Sequence, residues 1–121
     1  MEQKISDLNC YFAQQIAICG QRGQALQADD RADEAIFEKV KANVYDIFRT
    51  VFSVAVQTCK EDPDAVQRFF ALRLEQIPTS WAAALEEAKR HDDAVKMRLE
   101  QIKLDTVGAI RENFAKIWEA A

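Results

Sequence analysis

A chain of 121 residues, 49% of them hydrophobic and 30% charged, has the length of one domain and too much apolar content for disorder. Three glycines and two prolines leave few turn signals, which points to a helix-rich protein. The formal net charge is −4, with 16 Lys and Arg scattered among 20 Asp and Glu, which speaks against a nucleic-acid partner; no apolar run approaches the ~20 residues of a membrane span.

The opening stretch, MEQKISDLNC, carries two acids and no long apolar run, so it does not read as a secretory signal. The first helical segment runs from about Gln3 to Ala28. Ile5, Leu8, Phe12, Ile16, Cys19 and Leu26 share one narrow stripe at the helical period. Gly23 lies on that stripe and Gly20 near it, and each lowers helix propensity by about 1 kcal/mol relative to Ala. Two readings follow: one helix with a close backbone contact at the glycines, or a helix ending near Gly20 with a loose connection to Ala28. Leu26 keeps the phase, which favours the first.

Asp29 and Asp30, in the stretch ADDRADE, have the chemistry to cap the next helix, and the acids around them suit the positive end of its dipole. They lack the spacing and the glycine of a calcium loop. That next helix, Ala35 to Lys60, is the most apolar long segment and contains no Gly or Pro. At about 100° per residue, Ile36, Phe37, Val40, Val44, Ile47, Phe48, Val51, Val54 and Ala55 fall on one side. Tyr45, Phe52 and Cys59 widen that side to about half the cylinder, broader than a surface helix needs. This helix is therefore expected at the centre of a bundle, touched by more than one neighbour. The β-branched run from Thr50 to Thr58 keeps the helical phase and is read as helix.

EDPDA, from Glu61 to Ala65, marks a break. Asp62 is a good cap and Pro63 fits the first helical position, where no amide hydrogen is needed. A short helix from Pro63 to about Gln76 is expected to bury Val66, Phe69, Phe70, Leu74 and Ile77, and Pro78 stops or turns the chain. Thr79 or Ser80 then caps the last segment. Trp81, Leu85, Ala88, Val95, Leu99, Ile102, Thr106, Ile110, Phe114 and Ile117 lie within about 120° of arc. Unbroken, this is a helix of about 40 residues and about 60 Å, too long for a compact chain of this size. Asp92 and Asp93 offer the alternative of a break at Arg90-His91 with a new helix capped beyond it. The matching phase on both sides favours the unbroken form. A second apolar set, Met97, Leu104, Val107 and Trp118, sits off the main stripe and marks a candidate interface with a second copy of the chain.

Catalytic and metal chemistry find little support. His91 is the only histidine, with Glu87 four residues before it, and one Glu-x-x-x-His falls short of a di-iron bundle. Glu34 and Glu38, and the pairs Glu100–Lys103 and Glu112–Lys116, read as solvated surface residues. Cys10, Cys19 and Cys59 form no CxxC, and Cys10 and Cys19 fall on opposite helix faces. They read as free thiols in a reducing cytoplasm, with Cys19 packed and unreactive. No phosphate-cradling glycine loop or serine-hydrolase elbow is present.

The sequence thus predicts an all-α fold, one domain over residues 1–121. Its expected form is an elongated antiparallel bundle of three long helices and one short one. The expected role is non-enzymatic, without cofactor or metal: a self-associating helical scaffold or adaptor acting through protein–protein contact in the cytoplasm. Two alternatives belong to other classes. One is a bundle holding a small apolar ligand; the other is a metal-dependent hydrolase with an acidic site between subunits.

Overall fold

The computed structural model describes residues 1–60 and 62–119. These residues form five helices: α1 (Glu2–Ala28), α2 (Ala32–Cys59), α3 (Pro63–Gln76), α4 (Thr79–Arg90) and α5 (Ala94–Glu119). The fold is all-α, and no described helix is long and apolar enough to cross a membrane. The arrangement differs from three long helices and one short one, because the expected last helix is two helices, α4 and α5. Glu61, in the expected turn before α3, lies outside the described residues.

Helix α1 runs through both glycines without a break. A side chain at Gly23 would meet Glu38 Cβ at 3.8 Å and the Ala35 carbonyl at 3.9 Å, whereas one at Gly20 would meet nothing. The close approach anticipated at the glycines therefore belongs to Gly23 alone.

Helices α1, α2 and α4 are each followed by a residue of positive φ, and none of these is glycine: Asp30, Lys60 and Asp92 have φ of 57°, 48° and 53°. At the end of α1, the Arg31 amide donates to the Leu26 carbonyl and the Asp30 amide to the Gln27 carbonyl. At the end of α4, the Asp93 amide donates to Ala88 and the Asp92 amide to Lys89. Both pairs are the six-to-one and five-to-two bonds of a Schellman turn, with Asp in the position glycine usually takes. Aspartate tolerates that conformation better than most side chains. Asp93 then caps α5, its Oδ1 accepting from the Lys96 amide at 3.1 Å. These two residues overturn the unbroken helix, since a periodic apolar stripe cannot report a turn that preserves its phase. Asp29 and Asp30 do not cap α2, whose N-cap is Arg31 without a side-chain bond. Asp62 does cap α3, accepting from the Ala65 amide at 3.1 Å.

Between α3 and α4 the chain bends but stays near helical angles at Ile77 and Pro78. Pro78 has no amide hydrogen, so the Leu74 carbonyl four residues back loses its helical donor. The Arg111 guanidinium of α5 supplies a replacement at 2.6 Å. Thr79, expected as a cap, instead turns its hydroxyl back to the Glu75 carbonyl at 3.2 Å. Helices α3 and α4 thus make one kinked column, tied to α5 at the kink.

Pairs of contacting residues give the directions. Phe12 meets Phe52 and Gly23 meets Ala35, so α1 and α2 run antiparallel. Arg111 meets Leu74 and Lys103 meets Trp81, so α5 runs antiparallel to the kinked column. Phe37 meets Arg98 and Phe52 meets Trp118, so α2 and α5 run side by side in the same direction. Helix α2 packs on α1, α3 and α5, the several neighbours its width implied. The centre is aromatic. Phe70 of the short helix α3 stands with its ring 6.4 Å from Phe12, 6.2 Å from Phe48, 5.5 Å from Phe52 and 4.7 Å from Phe114. Tilted and edge-on geometries dominate, as the ring quadrupoles favour.

Candidate functional site

The residues expected at an interface between copies divide. Val107 and Trp118 are 1% and 4% exposed, inside the chain's own core, while Met97 and Leu104 are half-buried. The cause is the break at His91–Asp93. It folds α4 back along α5, so that Leu104 and Val107 face Pro78 and Ala82 of the same chain. At the far end Trp118 stacks on Phe114 at 5.5 Å and meets Phe52 edge-on. Lys4 lies over its ring at 5.8 Å and bonds its carbonyl. The second apolar face of α5 is therefore largely covered from within.

A different face is left outside. On α2, Ile36, Ile47 and Val54 are 51%, 40% and 43% exposed. All three were expected to be buried. The helix is rotated so that Tyr45, Phe48 and Phe52 point inward, because burying large aromatic area outweighs burying β-branched residues. The three exposed residues are eleven and seven positions apart, multiples that return to nearly one heading on a helix. Half-buried Val40 and Val51 border them. The result is an outward apolar line along most of α2.

Two carboxylates read from sequence as solvated are buried. Glu38 and Glu100 are 8% and 7% exposed, and in each Oε2 has no hydrogen-bond partner. Each Oε1 accepts from a lysine one turn later, Lys41 or Lys103, at 3.1 Å. The surface spacing was right, but α1 covers Glu38 at Gly23. Cys19 is buried beside Glu38, and burial, with the carboxylate next to it, raises the thiol pKa. Both effects favour the thiol over the nucleophilic thiolate. Cys10 is exposed and Cys59 half-buried; all three cysteines are free. His91 is exposed at the end of α4, with Nε2 2.8 Å from Glu87 Oε1. Among the described residues no three of His, Cys, Asp and Glu converge closely enough to hold a metal ion.

Comparison of the chain with known protein families, with curated proteins and with solved structures finds no match.

Proposed function

We propose that the chain is a non-enzymatic helical module that self-associates, acting through protein–protein contact along the outward face of α2. The observation that carries this reading is the single heading shared by Ile36, Ile47 and Val54 while all three face solvent. Val40, Ile47 and Val54 recur every seven residues and alternate with Ile36, Asn43 and Thr50 in steps of four and three. That is the spacing of a two-helix seam, with β-branched residues at one of its two positions. A second copy presents the same line, so a two-fold contact covers both at once. Asn43 in mid-line is the kind of polar residue that fixes register at some cost in stability. Met97 and Leu104 are at most a minor part of this contact. Free thiols at Cys10, Cys19 and Cys59 suit a reducing cytoplasm, which is where we place the protein.

Sedimentation equilibrium tests the reading. The wild-type chain at tens of micromolar is expected to show the mass of two or more chains. Ile47→Glu is expected to show the mass of one, with its melting temperature unchanged or higher when measured as a monomer. A single-chain mass for the wild type at hundreds of micromolar overturns it.

A further inference from the structure

Helices α1, α2 and α5 each send a basic side chain to one cleft. Arg22, Lys41 and Arg98 line a cavity of about 480 Å³, open to solvent, with Arg31 of the α1–α2 turn also on its wall. The same three cations also line an adjoining cavity of about 310 Å³ along α5. Four of the chain's 16 Lys and Arg thus line the first cavity, which holds two acids, Glu34 and Glu38, while the adjoining one adds Asp105, in a protein whose net charge is −4. Two of the four are already engaged: Lys41 bonds Glu38, and Arg31 pairs with Glu34 and Asp29. Among the described residues, Arg22 and Arg98 have no carboxylate partner. Arg98 is set in place by the Phe37 ring, 5.5 Å from the guanidinium carbon. Leu26, Phe37 and Ile102 make the rest of the wall apolar.

From this arrangement we infer a binding site for a small amphipathic organic anion, its carboxylate or phosphate head held by Arg22 and Arg98 and its apolar body lying on Leu26, Phe37 and Ile102. Guanidinium groups match both oxyanions through paired N–H donors. Positive side chains converging from three helices on an otherwise acidic protein concentrate the field where the head would sit. Lys41, held by Glu38, adds charge at the edge without leaving its partner. Binding here requires no contact along the outward face of α2 and is independent of self-association.

Titration calorimetry and thermal shift on the full chain, with octanoate, octyl phosphate, inorganic phosphate and octanol as probes, test the site. One or both octyl anions are expected to bind saturably and raise the melting temperature. The tighter of the two identifies the head group. Inorganic phosphate is expected to bind more weakly and octanol not at all. Arg22→Ala and Arg98→Ala are each expected to weaken binding by about tenfold. Both side chains are exposed, so the unliganded melting temperature should stay at the wild-type value. Arg68→Ala, on the exposed surface of α3, and Ile47→Glu should leave the affinity unchanged. The site is overturned if neither octyl anion binds saturably, if octanol binds as well as they do, or if the Arg22→Ala/Arg98→Ala double variant keeps wild-type affinity.

Discussion

Tyr11 shows how one side chain's surroundings change its chemistry. Its ring meets Tyr45 edge-on at 5.9 Å, and its pKa lies well above the ordinary 10.0, first because of burial and then because of the neighbouring Tyr45 side chain. A raised folded value means that folding favours the neutral phenol. The associated stability is present in full below about pH 10 and is lost as pH rises towards the folded value. Alkaline unfolding, followed by circular dichroism together with tyrosinate absorbance, should therefore be shallower in Tyr11→Phe than in the wild type. Identical alkaline profiles would show that Tyr11 has no part in it. Nothing local to α1 predicts this, because the second tyrosine comes from α2. Glu38 and Glu100 make the same point in reverse. Their spacing to Lys41 and Lys103 is visible in the sequence, yet what covers them comes from other segments.

At the scale of elements, the kinked column is held by a bond that no local pattern reveals. Pro78 removes the donor to the Leu74 carbonyl, and Arg111, 37 residues beyond Leu74, restores it. In the wild-type background Arg111→Met is expected to cost about 1–2 kcal/mol, since it strands a carbonyl with no other donor. In a Pro78→Ala background the restored amide can make the helical bond, and the same change should cost less. Urea unfolding of the four proteins measures the coupling; additive effects would mean that Arg111 does not act on that carbonyl. The breaks themselves were only partly legible. Asp62-Pro63 announces a helix start in two residues. Asp92 and Asp93 announce one only if the chain turns left-handed at Asp92, and the apolar phase is unchanged either way.

For the whole molecule, the break before α5 decides between two architectures. A continuous last helix would have carried an uncovered apolar face into solvent. Folded back, α4 and the kink before it bring Pro78 and Ala82 against Leu104 and Val107 of that face. Phe70 is the hub, fully buried and touching rings from α1, α2 and α5. Phe70→Ala is expected to cost about 3–5 kcal/mol, the range for large aromatic truncations in a packed core. In a domain stabilised by about 5–15 kcal/mol, such a loss should lower the melting temperature by well over ten degrees. A change of only a few degrees, measured by calorimetry, would show that α3 is peripheral to the core.

The amino-acid order alone determined that the chain is helical, where its most apolar segment lies, and that α3 begins at Asp62-Pro63. Those features depend on periodicity and on local backbone chemistry, which neighbours along the chain are enough to express. It also listed the residues with apolar faces, but not which face turns inward. Tertiary structure decided that, by pointing the aromatics of α2 at Phe70, leaving Ile36, Ile47 and Val54 outside, and folding α4 over Leu104 and Val107. The physical reason is that burial is a property of two surfaces. A helix shows in its own sequence which sides are apolar, but only the partner that arrives determines which of them is covered.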